Sequence, residues 1–235
     1  MNILNLILVI VLSYLVGSIP FGLIIVKTFT GKDVREVGSG RTGGTNAMRA
    51  AGLFAGVLTG LGDILKGLVS GWLADTLVPG NALVKVVAVL LAIIGHNYSI
   101  FLIKRNNAGR LALEGGAGGA TAFGGAVALW SPIWMILLPL CVLVYLLIGY
   151  ASLMTISVGF FSILIFSVTA YLGITPPVYI LYGVFSFLIV MFALRPNLHR
   201  LRNGTERTVG LRRYLEKKKA ANNASRKDKH DSPSN

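Results

Sequence analysis

The chain has 235 residues, 54% hydrophobic and only 13% charged, with a mean hydropathy of +0.71; this excludes an ordinary soluble domain and points to a polytopic membrane protein. The formal net charge is +13, yet with no zinc spacing and no aromatic-basic interleaving the excess reads as positive-inside bias and attraction to anionic lipid headgroups, not as a nucleic-acid surface. Cys141 is the only cysteine, which excludes an intramolecular disulfide.

The first apolar segment, about 3–27, has no basic n-region and is expected to stay as a span. Pro20, within Gly17-Ser18-Ile19-Pro20-Phe21-Gly22, predicts a kink where Gly and Ser can compensate. A glycine-rich loop follows, from Val37 to Arg49, and then spans at about 52–73 and 83–103. From Gly115 to Leu194 there are 80 residues without Asp, Glu, Lys or Arg. At about 20 residues per crossing this run has room for four spans, with breaks at Ser131-Pro132, Gly149-Tyr150-Ala151-Ser152 and Gly173-Ile174-Thr175-Pro176-Pro177. The first of the four, about 117–130, is short and Gly-rich, as in a full but short span or a re-entrant segment shielded by protein. The expected fold class is an all-α integral membrane protein of about seven transmembrane helices.

Basic residues gather after span one (Lys27, Lys32, Arg35, Arg41, Arg49), after span three (Lys104, Arg105, Arg110) and in the tail from Arg195, with twelve Lys/Arg against four acids. The positive-inside rule puts these regions in the cytoplasm and the N-terminus outside, which requires an odd number of spans. Residues 1–213 read as one polytopic domain and 214–235 as a disordered basic cytoplasmic tail.

The polar clusters share that inferred cytoplasmic face. In Gly38-Ser39-Gly40-Arg41-Thr42-Gly43-Gly44-Thr45-Asn46-Ala47-Met48-Arg49, glycines let backbone N–H groups converge on an anion, and the arginines add forked donors for phosphate oxygens. No Gly-Lys-Ser/Thr follows, so this is not a Walker loop. The second cluster, Gly115-Gly116-Ala117-Gly118-Gly119-Ala120-Thr121, reads equally as an anion site at a helix N-terminus or as close packing between helices. The third, from Arg195 to Arg207, contains Asn197, Arg200 and Glu206. Within the spans, Asp63 and Lys66 can pair at i,i+3, and His96 reads either as a base or phosphate donor or as a packing histidine. No nucleophile triad, metal-ligand set or carboxylate dyad is evident, so chemistry here has to rest on phosphate binding and positioning. Such anion loops also suit a transporter or binding protein for phosphorylated lipid precursors.

Gly17–Gly22, Arg35-Glu36-Val37-Gly38-Ser39-Gly40, Gly44-Thr45-Asn46-Ala47-Met48-Arg49, Asp63-Ile64-Leu65-Lys66-Gly67, Gly95-His96, and the set Asn197, Arg200, Gly204 and Glu206 occur in one order along the chain. Over nearly the whole span region this pattern resembles the PlsY family of bacterial acyl-phosphate:glycerol-3-phosphate acyltransferases. The resemblance implies seven spans in the bacterial cytoplasmic (inner) membrane and acyl transfer from acyl phosphate to the sn-1 hydroxyl of glycerol 3-phosphate. The products are lysophosphatidic acid and phosphate, with no cofactor and no metal, and a monomer is expected. It implies Ser39, Arg49 and His96 as the catalytic set. Gly38, Gly40, Arg41, Gly44, Thr45, Asn46, Gly115, Gly116, Thr121, Asn197, Arg200 and Glu206 are implied as substrate- and phosphate-binding. The chain departs from the family pattern at Ala117, where a lysine is usual, at Leu194, where a histidine is usual, and at Arg41, where an asparagine is usual; the stretch after His96 is about nine residues longer. Arg41, Arg105 or Arg110 is expected to supply the missing charge; otherwise the chain is a catalytically silent paralogue.

Overall fold

The computed structural model describes residues 2–105, 109, 111–216, 218 and 219; Arg110 and residues 220–235 of the expected tail lie outside the described residues. Helices α1 (Ile3–Ser18) and α2 (Phe21–Thr30) are separated at Ile19-Pro20. Pro20, which lacks an N–H, precedes the first residue of α2, so the expected kink is a break between two helices. There follow α3 (Gly44–Leu77), α4 (Ala82–Asn97), a two-stranded antiparallel hairpin of β1 (Ile103–Arg105) and β2 (Leu111–Leu113), α5 (Gly119–Leu129), α6 (Trp134–Ile148), α7 (Ala151–Tyr171), α8 (Tyr179–Ala193) and the short α9 (Arg195–Arg202).

Four helical stretches are long and apolar enough to cross a membrane: Ile3–Thr30, Gly44–Leu77, Ser131–Ile148 and Ala151–Tyr171. The pair α8–α9, bent by 66°, makes a fifth, while α4 and α5 are apolar but shorter. Among the described residues, four or five stretches thus reach spanning length and composition, against the seven crossings expected from the sequence.

Two boundaries differ from the sequence reading. The second half of the glycine loop is helical, since α3 already begins at Gly44. Gly52 (φ 88°, ψ 176°) then breaks the helix, and this left-handed φ is open to glycine at little cost. A Cβ on Gly44 would lie 2.8 Å from the Gly56 carbonyl oxygen and 3.3 Å from the Gly60 nitrogen. The first two turns therefore fold back onto the start of the long segment. At the other end of the chain, residues 210–216 are helical, past the boundary expected at 213. Thr208 Oγ1 donates to Glu216 Oε2 (2.6 Å), Arg212 pairs with Glu216 (3.1 Å), and Val209 is buried.

Glycine seams hold the helices together, because apolar contact alone gives no drive toward association in lipid. A Cβ at Gly17 would overlap the Ala92 backbone, fixing α1 on α4. Cβ atoms at Gly67 and Gly124 would overlap α5 and α3 respectively, so these two helices touch at backbone distance. Tyr182, Phe166, Ile133, Leu137 and Ile93 fill the centre between α4 and α8. Buried hydroxyls bond to carbonyls within their own helices, as in Thr59 to Ala55 (2.8 Å) and Ser162 to Val158 (2.7 Å). Large apolar side chains such as Leu53, Trp72, Met135 and Leu147 stay exposed on the outside, the surface a bilayer would cover.

The two ends differ chemically. One joins the start of α1 to the end of α3, through Asn5 Nδ2 to the Leu77 carbonyl (2.8 Å). The other brings together the 31–43 segment, the hairpin, the α6–α7 turn and α9. There Tyr14 Oη donates to the Tyr98 carbonyl (2.8 Å), Arg41 to Ala193, and the Val209 N–H to Gly149 (2.9 Å). The basic residues of 27–49, 104–105 and 195–213 gather at this second end, whereas Lys85 sits at the first, paired with Asp75 (2.6 Å).

Candidate active site

A cavity of about 340 Å³ opens at the basic end. Three helices start on it: α3 at Gly44 and Thr45, α5 at Gly119 and Ala120, and α7 at Ala151 and Ser152. Their N-cap residues, Gly43, Gly118 and Tyr150, make no side-chain cap. α2, α6, α8 and α9 also lack a side-chain cap, whereas α1 and α4 begin with capping asparagines, Asn2 and Asn81, so what sets these three starts apart is that they open on one cavity. A helix start presents unpaired N–H groups and the positive end of the macrodipole. Three uncapped starts around one space make a strong anion cradle.

The Ser39 N–H goes to Asn46 Oδ1 (3.1 Å) and the Gly40 N–H to the Val37 carbonyl (3.0 Å), so two amides of the Gly38–Gly40 turn are engaged within the loop. Asn46 is the hub of this loop. Its Nδ2 lies 2.9 Å from each of the Val34, Val37 and Arg41 carbonyls. It is almost fully buried, and its amide shapes the loop, leaving phosphate contact to others. Asn46→Asp would set a carboxylate against three carbonyls. Each group left unpaired costs about 1–3 kcal/mol, so we expect loss of acyl transfer with a clear drop in melting temperature, read by fluorescence-monitored unfolding in detergent.

Arg35 is also structural: it pairs with Asp33 (2.6 Å) and Glu114 (3.2 Å), and its guanidinium holds the Asp33 carboxyl below the usual range. Arg41 differs. It donates to the Gly116 carbonyl (3.0 Å) and to the Ala193 carbonyl, the neighbours of Ala117 and Leu194. Burial, followed by nearby Arg200, pushes its pKa below the ordinary arginine value. Neither Arg41 nor Arg49 pairs with a carboxylate among the described residues. Both line the cavity, leaving half-buried positive charge for a ligand to neutralise.

Glu206 organises the third cluster. Oε1 accepts from Asn197 Nδ2 (2.8 Å) and Ser152 Oγ (3.2 Å), and Oε2 from Arg200 Nε (3.0 Å). With its oxygens so engaged, Glu206 orients Asn197 and Arg200 and is not a free ligand. Asn197 Oδ1, buried, has no hydrogen-bond partner among the described residues.

Beneath the cradle lies a buried cluster. Lys66 Nζ is 2.9 Å from Asp63 Oδ1 and 3.1 Å from His96 Nδ1, and His96 Nδ1 is 3.3 Å from Asp63 Oδ1. The other face of the His96 ring is closed by Gly116, where a Cβ would overlap Nε2. His96 reaches the cavity wall, but as a packed and bonded ring.

Of the expected residues, Ser39, Arg41, Gly44, Thr45, Asn46, Arg49, His96, Asn197, Arg200 and Glu206 line the cavity, and Gly38, Gly40, Gly115, Gly116 and Thr121 do not. Gly115 and Gly116 lie against α4, Gly116 donating to the His96 carbonyl (2.9 Å), and Thr121 is buried in α5. Gly115 and Gly116 are thus packed closely on α4 and, with Gly40, line a neighbouring cavity, while Gly118 and Gly119 stand at the start of α5 on the first. Arg207, at the end of the third cluster, lines the cavity too, as do Ser152 and Thr155, which the sequence did not offer as site residues. The only hint was the i,i+3 spacing of Ser152 and Thr155 after a glycine break. The remaining wall is apolar, with Met48, Leu53, Val57 and Met154. Leu53 is 70% exposed, so that wall runs out to the lipid-facing surface of α3.

This is a helical membrane-type protein whose cavity joins a cationic end to an apolar wall. The family model described as glycerol-3-phosphate acyltransferase matches residues 7–204. Among curated proteins, the glycerol-3-phosphate acyltransferase of Syntrophomonas wolfei is 35% identical over 199 residues (85% of this chain, 94% of that one). That of Rubrobacter xylanophilus is 37% identical over 204 residues (87% and 95%). Among solved structures, the integral membrane glycerol 3-phosphate acyltransferase PlsY (YgiH) in its glycerol 3-phosphate form superposes with a TM-score of 0.76 at 29% identity, covering 89% of this chain and 98% of that one. The chain belongs to the glycerol-3-phosphate acyltransferase family.

Proposed function

We propose that the cavity transfers an acyl group from acyl phosphate to the sn-1 hydroxyl of glycerol 3-phosphate. The carrying observation is that three uncapped helix starts and the unpaired Arg41 and Arg49 face the same space as an apolar wall open to the outer surface. The phosphate ends of both substrates take the cationic end, and the acyl chain lies along Leu53 and Val57. The hydroxyl oxygen attacks the acyl carbon, the bond from that carbon to the phosphate oxygen breaks, and the hydroxyl proton passes to a phosphate oxygen. Ser39, Thr45 and Arg49 hold the donor, while Asn197 and Arg200, set by Glu206, orient the acceptor. The positive-inside rule supports seven crossings with the N-terminus outside and the cavity on the cytoplasmic side of a bacterial inner membrane.

The test is an assay of the protein in lipid with palmitoyl phosphate and glycerol 3-phosphate, following phosphate release and lysophosphatidic acid together. Equal yields of both products, lost in Arg49→Ala by about 10²-fold or more, support the reading. Phosphate release without the lipid, or no turnover by a folded protein, overturns it.

A further inference from the structure

We propose that the β1–β2 hairpin is an interfacial anchor that lays one face onto the anionic headgroup layer of the bilayer. Its pairing sets Ile103 opposite Leu113 and Arg105 opposite Leu111, so these four residues share one face and Lys104 and Ala112 the other. Ile103 is 52% and Leu111 71% exposed, and Ile100 and Phe101 just before them are exposed as well. A two-stranded hairpin with neither face covered is marginal in water. An apolar surface supplied from outside resolves that instability.

Two observations identify the surface as lipid. First, α4 has 16 residues, a rise of about 24 Å, against a hydrocarbon thickness of about 30 Å. The exposed Ile100, Phe101 and Ile103 continue the apolar surface where α4 stops short. Second, the hairpin is cationic. Lys104 is 68% exposed and reaches Glu114 only at 3.8 Å, while Arg105 has no carboxylate partner among the described residues. Apolar side chains beside the free Arg105 cation on one face match an anionic leaflet, where the apolar part enters the acyl boundary and the cation meets the headgroups.

Cys141 is the only cysteine and is buried, so a Cys141→Ala background allows a single label. A nitroxide on Leu111→Cys, in bilayers of phosphatidylethanolamine and phosphatidylglycerol, is expected to collide more with oxygen than with a water-soluble nickel chelate. Each cation adds a factor of about five to residence on an anionic surface. Arg105→Gln, or replacement of phosphatidylglycerol by phosphatidylcholine, is therefore expected to shift the balance toward nickel by up to about fivefold. A label at 111 that favours nickel in the anionic bilayer overturns the proposal. So does one shielded from both reagents, which would assign the face to a protein partner or a second copy, and so does a ratio indifferent to lipid charge. The readout is independent of acyl transfer, so it stands or falls apart from the enzymatic reading.

Discussion

Arg41→Ala is expected to reduce acyl transfer by about 10²–10³-fold, the usual cost of removing a preorganised donor from a site of developing negative charge. Arg41 is placed for two tasks at once. Its guanidinium ties the glycine loop to Gly116 and Ala193, closing the ring formed by the starts of α3 and α5 and the end of α8. It also brings a desolvated cation to the cavity without a carboxylate to neutralise it. The other two basic residues expected to replace the family's lysine do not share this position. Arg105 lies in the exposed hairpin, and Arg110 falls outside the described residues. Ala117 lines the cavity beside the carbonyl that Arg41 binds, so a lysine there can deliver its charge to nearly the same place. We therefore expect Arg41→Ala with Ala117→Lys to recover much of the lost turnover, and Arg41→Lys to recover less because it cannot fork between two carbonyls. Initial rates against both substrates separate binding from turnover. Full activity in Arg41→Ala would sink this assignment, whereas failure of the rescue alone would mean that the tie between loops matters more than the charge.

The apolar architecture was legible because crossing a membrane requires long uncharged runs, and the run from 115 to 194 leaves no alternative. Breaks at Pro20, Ser131-Pro132 and Gly149 fell where helices do end, since Pro and Gly act locally. The fold-back at Gly52 did not show, because Gly44–Arg49 reads as loop by composition while its helicity depends on packing against Gly56 and Gly60. Ten of the expected polar and glycine residues line one cavity, but which side chains stay free for a ligand was not legible. Asn46 and Glu206 were expected to face substrate, yet each spends its side chain on neighbours, a distinction made by tertiary geometry. Ser152 was hidden in an uncharged run, and the meeting of three helix starts depends on segments more than a hundred residues apart, from Gly44 to Ala151.

Lys66→Met should be the most destabilising single change in the interior. It leaves the Asp63 carboxylate among helices with only His96 beside it, and breaking a buried pair in this way costs about 3–5 kcal/mol. Asp63 Oδ2 already has no hydrogen-bond partner among the described residues, so without Lys66 only His96 is left to offset the charge. Removing both charges, as in Asp63→Asn with Lys66→Met, should restore most of the stability, because the uncompensated charge is gone and the volume is kept. Thermal unfolding of the two single variants and the double variant in detergent gives the coupling directly. Activity adds a second reading. The cluster holds His96, His96 bears Gly116, and Gly116 anchors Arg41 and leads to the start of α5. If the cluster acts only by positioning, turnover should fall and recover together with stability. A double variant that regains its melting temperature but not its turnover would instead put Asp63, which reaches the cavity wall, in contact with substrate.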